Sequence, residues 1–444
     1  MIRCLIIADD FTGALDTGVQ LASRGAATRV CLCSRDGPDF EGMSRQGVQV
    51  AVVDAETRHM SPQKAYEIVS SLTVRAKKIG IPHILKKTDS ALRGNVGSEL
   101  QAILDASGER VLPFLPAFPR MDRTTRKGVQ YIGETPVADS VFGTDPFEPV
   151  ARSYVPDIIG IQSSVRTEVI PVGKCFTDDG GGPKVSVFDT ETTEQMGCIA
   201  GVLKEKKALS VMAGCAGLAE KLPEVLGLVG ACPPIPSMSS RFIVVCGSVN
   251  PITRRQLDFA EKYGFVRIRL DPKLTLSENM LAADAGRQLM SHIREVCRWT
   301  DRVIIDTNDA KGSSGALEYA RECGITLEQI RVRISGNLGR IVKELAAGDI
   351  NSTFLMTGGD TLMGFMNQAN LQEIIPIREV AAGTVLSRVH MNGKSFAVFS
   401  KSGGFGGEKL LVELAHMLDT TWEERIENEV RDDSGNLPPR GGEA

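Results

Sequence analysis

Two short segments combine carboxylates, hydroxyls and cations directly after apolar runs. Residues 8–14 read ADDFTGA and follow the run 4–7, and residues 87–95 read KTDSALRGN and follow the run 83–85. Such apolar runs are typical of buried strands, and helix-like sequence follows both motifs. Open α/β sheets bind ligands at the carboxyl ends of their strands. The two motifs therefore predict a site for a small, hydroxyl-rich anion, whereas a protein core does not need a Lys-Thr-Asp-Ser cluster.

Four charged residues stand at the ends of predicted strands. One of Asp9 and Asp10 could cap the following helix while the other reaches a ligand, or both could serve only as caps. Arg58 could bind a carboxylate through two parallel hydrogen bonds, although a lone arginine there would more often form a surface ion pair. Lys87 could be a solvated lysine, but its place between an apolar strand and Thr-Asp-Ser favours a binding site.

The second half of the chain contains three glycine-rich turns that each follow a predicted strand. They are GSVNPIT at 247–253, TGGDT at 357–361 and KSGGFGG at 401–407. Glycine lets backbone N–H groups approach an anion closely, and the N-terminus of a following helix adds a positive partial charge. One such turn is weak evidence, because glycine commonly ends a strand. Three of them together predict a phosphate or nucleotide site.

Two common nucleotide motifs are disfavoured. NGKS at 392–395 resembles the end of a P-loop, but Arg388 stands where the first glycine of that motif would be. We expect a β-hairpin turn at Asn392 and Gly393 instead. No GxGxxG follows the first predicted strand, which argues against a standard NAD site.

The composition narrows the class of protein. The 444 residues are 42% hydrophobic and 24% charged, which is typical of soluble globular proteins. A net charge of −4 without a basic tract argues against nucleic-acid binding. We expect no membrane association and a cytoplasmic location, because no apolar run is long enough to span a bilayer or to act as a signal peptide. The five histidines form no metal motif, and we assign no protein metal ligand.

Strand and helix patterns alternate along the chain, which predicts an α/β fold with two domains. Each domain is expected to be a mainly parallel sheet flanked by helices, with the active site in the cleft between them. We predict a domain over 1–231, a proline-rich linker, a second domain over 241–425 and a disordered tail over 426–444. Residues 116–150 lack clear periodicity, and their aromatic residues predict an ordered, packed loop.

The motifs also resemble a known family. ADDFTGALDTGVQ (8–20), KKTDSALRGNVGSEL (86–100) and the segment 116–150 are similar to the N-terminal sugar-binding domain of the four-carbon acid sugar kinases. GSVNPITRRQ (247–256), TGGDT and KSGGFG (401–406) are similar to the nucleotide-binding C-terminal domain of that family. The resemblance extends over about residues 1–420, with the motifs in the expected order. DTGVQ is more similar to the D-threonate and D-erythronate kinases than to the 3-oxo-tetronate kinases.

This resemblance implies ATP-dependent phosphorylation of the terminal hydroxyl of a four-carbon sugar acid, with Mg²⁺ as the metal. By motif, the residues that would hold the sugar acid are Asp10, Arg58, Lys87, Thr88 and Asp89. Those that would hold ATP are Ser248, Gly358, Gly359, Asp360, Thr361 and Gly404. Two departures from the family pattern, Leu15 and ETPVADS at 134–140, bear on the identity of the substrate more than on the type of reaction.

Phosphoryl transfer to a hydroxyl needs a carboxylate within hydrogen-bond reach to accept the proton. Asp89 and Asp360 are both candidates, and the sequence does not choose between them. The expected partners are a sugar acid and ATP, and self-association is left open. A 3-oxo-tetronate kinase, a nicotinamide-dependent enzyme acting on sugar acids and a non-catalytic sugar-acid sensor remain alternatives, although the sensor would leave the three glycine turns without a role.

Overall fold

A computed structural model describes residues 1–33, 37–145, 148–175, 180–308 and 314–419. The chain forms two compact units. The N-terminal unit contains Met1–Ile235 together with Leu371–Val389, and the C-terminal unit contains the remainder. The segment Leu371–Val389 therefore belongs with the first unit, although the sequence-based division placed it in the second domain. The predicted tail 426–444 lies outside the described residues.

The strands, in chain order, are β1 (Cys4–Ala8), β2 (Thr28–Leu32), β3 (Val50–Asp54), β4 (His83–Lys87), β5 (Val111–Leu115), β6 (Arg123–Arg126), β7 (Val129–Ile132), β8 (Thr135–Pro136), β9 (Arg166–Ile170), β10 (Lys184–Phe188), β11 (Val211–Gly214), β12 (Phe242–Cys246), β13 (Val266–Arg269), β14 (Arg302–Asp306), β15 (Thr353–Thr357), β16 (Glu373–Ala381), β17 (Thr384–Met391) and β18 (Lys394–Lys401).

The helices are α1 (Phe11–Ala22), α2 (Phe40–Arg45), α3 (Pro62–Lys78), α4 (Val96–Ser107), α5 (Val155–Gly160), α6 (Thr193–Glu205), α7 (Ala216–Ala219), α8 (Leu222–Leu226), α9 (Pro251–Lys262), α10 (Pro272–Thr275), α11 (Asp284–Trp299), α12 (Ser314–Glu322), α13 (Leu327–Ala347), α14 (Gly359–Gln368) and α15 (Leu410–Asp419). Both units are α/β, which confirms the predicted fold class.

The sheet of the N-terminal unit has the strand order β16-β2-β3-β1-β4-β11-β5-β10-β9. Its strands pair in parallel except β16, which runs antiparallel to β2 and also pairs with β17. Ala8 at the end of β1 is in register with Asp54 on one side and with Lys87 on the other. The segments that follow β1, β3 and β4 therefore leave the sheet at the same edge, as parallel strands with matched ends require.

The C-terminal unit contains the parallel strands β13-β14-β12-β15-β18 in that order. Cys246, at the end of β12, is in register with Thr357, which is in turn in register with Lys401. The three glycine-rich turns therefore begin at one edge of this sheet. Asn250 accepts a hydrogen bond from the N–H of Ile252 and caps α9, and Pro251 begins that helix.

Several smaller features bear on the sequence-based expectations. Residues 116–150 contain a three-stranded antiparallel sheet, β6-β7-β8, with a 3₁₀ turn on either side, where the sequence predicted only a packed loop. Asn392 and Gly393 both have positive φ, as a type I′ hairpin turn requires. Across the described residues, no helix is both long and apolar enough to cross a membrane.

Candidate active site

Arg58 is the centre of an ion-pair network at the end of β1. Its Nε donates to Asp9 Oδ2 at 2.8 Å, and its NH1 donates to Asp10 Oδ2 at 2.7 Å. Asp10 also caps α1, because its Oδ1 accepts a hydrogen bond from the N–H of Gly13 at 3.0 Å. The guanidinium of Arg58 is therefore already bound by two carboxylates of its own chain, and its main effect is to orient them.

Lys87 ends β4 beside this network and is only 4% exposed. Its amine forms no hydrogen bond with any described residue, and the closest carboxylate oxygen in its ion pair, Asp9 Oδ1, is 3.9 Å away. Burial alone would lower the pKa of Lys87, but Asp9 and Asp10 outweigh it and hold that pKa above its ordinary value. Lys87 is therefore a buried cation with unused donors.

Two buried polar atoms next to Lys87, Asp9 Oδ1 and Thr88 Oγ1, lack a hydrogen-bond partner among the described residues, and so does Asp54 Oδ2 at the end of β3. Burial would raise the pKa of Asp9, but Arg58 and Lys87 lower it below its ordinary value, so this carboxylate stays ionised. Buried polar atoms in proteins are normally paired, so a group of unpaired ones indicates a ligand. Those at Lys87 are a cation, a hydroxyl and a carboxylate oxygen.

Asp89 lies at the same edge but has no free oxygen. Arg93 donates to both of its oxygens, at 2.8 and 3.0 Å, and the backbone N–H groups of Ala91 and Arg93 also donate to Oδ2. Burial would raise the pKa of Asp89, but Arg93 and Arg58 hold it far below its usual range. Asp89 is therefore a very weak base that fixes the loop after β4.

A second buried ion pair lies next to these residues. Lys86 Nζ is 3.0 Å from Glu99 Oε2 on α4, and both side chains are almost completely buried. Lys86 also donates to the carbonyl oxygens of Ile7 and Lys87, at 3.3 and 2.6 Å, and Thr57 donates to Glu99. The pair therefore ties the ends of β1 and β4 to the residue that precedes Arg58.

Asn95 fixes the same loop from the other side. Its amide nitrogen donates to the carbonyl oxygens of Thr57 and Met60, at 2.7 and 2.9 Å. The loop that carries Arg58 is thus held by two buried side chains, Glu99 on α4 and Asn95 just before that helix. This role is consistent with helix-like sequence directly after the KTDSALRGN motif.

A cluster of charged side chains lies further along α1. Arg120 binds Glu220 and Glu379, each at 2.8 Å, and Gln20 donates to Glu379 at 3.4 Å. Asp16, on the same helix, is half-buried, and its side chain forms no hydrogen bond or ion pair with the described residues. The structure therefore pairs Arg120 with two glutamates.

In the C-terminal unit, the three glycine-rich turns meet. A Cβ atom on Gly403 would lie 2.7 Å from Ser248 Oγ, and one on Gly247 would lie 2.7 Å from Thr361 Oγ1. Gly358 has a φ of 89°, which favours glycine, and it precedes α14 directly. The predicted ATP-binding residues Ser248, Gly358, Gly359, Thr361 and Gly404 are therefore close together, beside the N-termini of α9 and α14.

Two residues of α9 hold the third turn in place. Thr253 Oγ1 donates to the carbonyl oxygen of Gly403 at 2.8 Å, and the amide nitrogen of Gln256 lies 2.9–3.1 Å from three successive carbonyl oxygens of residues 405–407. Buried Lys401 donates to the carbonyl oxygen of Ser402 at 2.9 Å. Burial lowers the pKa of Lys401 to about 8, although Cys246 acts in the opposite direction. The sequence-based selection missed Thr253, Gln256 and Lys401.

Asp360 is at the start of α14 and is half exposed. Its Oδ1 accepts a hydrogen bond from Arg331 NH1 on α13 at 2.7 Å, and Arg331 also binds Glu328. The second candidate base is therefore an arginine-paired surface carboxylate.

The structure brings Asp10, Arg58, Lys87, Thr88 and Asp89 together in the N-terminal unit. It also adds Asp9, which the sequence named as an alternative to Asp10 but which the residues chosen by family motif did not include. The two aspartates have different parts: Asp10 caps the helix, and Asp9 has the free oxygen. The hydrogen bonds of the two side chains separate these roles.

Residues 4–222 match the family model described as a sugar-binding N-terminal domain, and residues 243–411 match the one described as a nucleotide-binding C-terminal domain. A D-threonate kinase from Salmonella typhimurium is 27% identical over 94% of this chain and 99% of its own length. The chain belongs to the four-carbon acid sugar kinase family. The two family domains contain the two clusters described above, one each.

Other members of the family are similarly distant. A D-erythronate kinase from Heliobacterium modesticaldum is 28% identical over 81% of this chain and 84% of its own length. A 3-oxo-tetronate kinase from Salmonella typhimurium is 25% identical over 93% and 98%, respectively.

Two solved structures share the fold. One, from Salmonella typhimurium and described as a putative tRNA synthase, has a TM-score of 0.72 at 20% identity and covers 93% of this chain and 98% of its own. A Haemophilus influenzae protein has a TM-score of 0.69 at 18% identity, with coverage of 93% and 100%. At these identities the similarity establishes the fold alone.

Proposed function

We propose that this protein is an ATP-dependent kinase that phosphorylates the terminal hydroxyl of a four-carbon sugar acid, with D-threonate or D-erythronate as the favoured substrate. The observation that carries the proposal is the buried Lys87 amine with unused donors, next to the unpaired Thr88 Oγ1 and Asp9 Oδ1. A carboxylate with neighbouring hydroxyls is the small ligand whose groups complement all three. The family domains and the identities to named D-threonate and D-erythronate kinases support the choice of substrate.

In this proposal Lys87 binds the substrate carboxylate, and the nearby N-terminus of α1 contributes its positive partial charge. Asp9 Oδ1 accepts a hydrogen bond from a substrate hydroxyl, and Thr88 can donate or accept. Arg58 and Asp10 do not need to contact the substrate, because they hold Asp9 and α1 in place. The charged groups of the network are thus already in position to orient a polyol acid, and they do not have to move first.

ATP is assigned to the glycine-rich turns of the C-terminal unit. Backbone N–H groups around Gly358, Gly359 and Gly404, with the hydroxyls of Ser248 and Thr361, would bind phosphate oxygens at the N-termini of α9 and α14. Mg²⁺ usually binds through nucleotide phosphates and one or two carboxylates, and when bound it would neutralise phosphate charge. Asp360 is the carboxylate nearest to these turns in sequence. We also place the reaction in the cytoplasm, where ATP is available.

The test is release of ADP from ATP and Mg²⁺ in a coupled assay, with D- and L-threonate, D- and L-erythronate, 3-oxo-tetronates and five-carbon aldonates as acceptors. We expect saturable turnover with D-threonate or D-erythronate. Turnover with a 3-oxo-tetronate alone would move the assignment to that branch of the family. Binding of a sugar acid without any turnover would contradict the kinase proposal and favour a sensor.

Gly13 offers a direct test of the position of Lys87. A Cβ atom at Gly13 would lie 2.6 Å from both Lys87 Nζ and Asp10 Oδ1. Because the end of a lysine side chain can move, we expect Gly13→Ala to displace the amine and raise KM for the sugar acid about tenfold, the value of one charged hydrogen bond. Stability should change by less than about 1 kcal/mol, since alanine favours the helix.

Steady-state kinetics and urea unfolding of Gly13→Ala would be compared with those of Gly201→Ala on α6, where the new Cβ meets no atom within 4 Å. An unchanged KM in Gly13→Ala would contradict the assigned role of Lys87.

A further inference from the structure

One face of α1 carries polar positions that continue away from the Lys87 amine. Asp10, Gly13, Asp16 and Gln20 follow each other at spacings of three or four residues, which places them on the same side of the helix. The Lys87 amine lies against this face at Gly13. Asp16 is three residues further along, a rise of about 4.5 Å, which is comparable to the length of a four-carbon chain.

Asp16 carries the carboxylate that comes next along this face of α1. It is half-buried, and among the described residues its side chain has no hydrogen-bond or ion-pair partner. Two cations interact with Asp16, and both form ion pairs with other carboxylates. Arg120 binds Glu220 and Glu379, and Lys87 pairs with Asp9. The carboxylate therefore keeps free lone pairs on the helix face that leads from the Lys87 amine.

The charges around Asp16 come from several elements. Lys87 on β4 and Arg120 in the turn after β5 favour its ionised form, whereas Glu379 on β16 and Asp10 disfavour it. Burial is the largest influence and raises the pKa of Asp16 to about 7 despite the two cations. The buried thiol of Cys215 also interacts with Asp16, and Glu220, after α7, pairs with the same Arg120.

We propose that Asp16 is the general base of the kinase reaction and accepts the proton of the acceptor hydroxyl. The inference rests on the proposed function. The hydroxyl oxygen forms a new bond to the γ-phosphorus, the bond from that phosphorus to the bridging oxygen breaks, and ADP leaves with the electron pair. The proton passes to Asp16 and then to solvent when the product departs.

The two carboxylates selected from the sequence are less suited to this step. Both oxygens of Asp89 are held by Arg93, and Asp360 is paired with Arg331. A general base needs a free lone pair in reach of the hydroxyl and a pKa near the working pH. Asp16 has both, whereas Asp89 is held by Arg93 at a pKa far below its usual range and Asp360 is paired with Arg331.

The test is Asp16→Asn, which keeps the size of the side chain and removes the base. We expect kcat to fall about 10²-fold, within the usual range for general-base catalysis, while KM for the sugar acid changes by less than about threefold. Wild-type kcat should fall as the pH drops below about 7, because the carboxylate becomes protonated, and this limb should be missing in Asp16→Asn. Asp157→Asn, at an exposed position of α5, is the matched control and should behave like the wild type.

Folding is checked by urea unfolding at pH 5 and pH 8. A carboxyl whose pKa is higher in the folded state than in the unfolded state costs stability as the pH rises from about 4 through 7. Asp16→Asn should therefore be more stable than the wild type by a larger margin at pH 8 than at pH 5. If Asp16→Asn shows this pH dependence of the unfolding free energy but is inactive, the variant is folded and has lost catalysis alone.

A wild-type kcat in Asp16→Asn, or a raised KM with unchanged kcat, would overturn the assignment of the base and leave the proposed function intact. A wild-type protein that turns over none of the acids would overturn the proposed function and the base together. An acid limb that persists in Asp16→Asn would assign the base to another group.

Discussion

Replacing Lys87 with methionine is expected to lower kcat/KM for the sugar acid about 10³-fold. Methionine keeps the apolar length of the side chain but removes the buried amine that we assign to the substrate carboxylate. The loss of one partner from a buried charged pair costs about 2–5 kcal/mol, and about 4 kcal/mol corresponds to this factor. Asp9 loses a counter-charge at the same time, so the substrate would enter a site with excess negative charge.

The measurement is steady-state kinetics together with ATP binding by calorimetry. ATP affinity should be unchanged in Lys87→Met, because the nucleotide is assigned to the turns of the other unit. Lys64→Met, at an exposed position of α3, controls for the loss of one positive charge. If Lys87→Met kept kcat/KM within tenfold of the wild type, the carboxylate would have to bind elsewhere.

Replacing Lys86 with methionine is expected to cost about 3–5 kcal/mol of unfolding free energy, although this lysine is adjacent to Lys87. The reason is that Glu99 would be left as a buried carboxylate with only the hydroxyl of Thr57 to bind it. Burial already raises the pKa of Glu99 above its ordinary value, although Lys86 acts in the opposite direction. Removing Lys86 therefore favours a protonated or displaced Glu99.

Urea unfolding at pH 7 measures this effect. The double variant Lys86→Met with Glu99→Leu should recover much of the lost stability, because it removes both buried charges. Lys77→Met breaks the ion pair of Lys77 with Glu109, in which both side chains are more than a third exposed, and should cost no more than about 1 kcal/mol. If Lys86→Met and Lys77→Met lost the same unfolding free energy, the buried ion pair would be no more important for stability than the exposed one.

The strands of the two sheets that carry the site were largely predictable, because strands buried on both faces are continuous apolar runs. The residues of β12 and β14, FIVVC and RVIID, are such runs. β16 was not predicted. It pairs with β2, which is more than 300 residues away in sequence. Its residues, EIIPIREVA, include charged side chains and a proline, so they do not form a continuous apolar run. Pro376 lies at a register shift against β17, where a strand tolerates a proline, and without a continuous apolar run the local sequence does not reveal this strand.

The sequence predicted which residues belong to the candidate site better than it predicted the role of each residue. Residue types and spacing were enough to select Asp10, Arg58 and Lys87, but the identity of each one's partner depends on strand register and on side-chain direction. Arg58 is bound by Asp9 and Asp10, and Asp89 is bound by Arg93, which leaves Lys87 and Asp9 with the unused atoms. Asp16 was missed because polar residues are common on helices. Its position becomes informative only when the structure shows that Lys87 lies against the same face of α1.

The return of Leu371–Val389 to the N-terminal unit has a consequence for the order in which the protein is made. A ribosome synthesises the chain from its N-terminus, so the edge of β2 has no partner until β16 has also left the exit tunnel. During that interval the nascent chain presents an unpaired strand edge, which is a site for mispairing with other chains. A gene fragment that stops at Ile235 would make this state permanent, and a recombinant sugar-binding half therefore needs residues 371–389 to be complete.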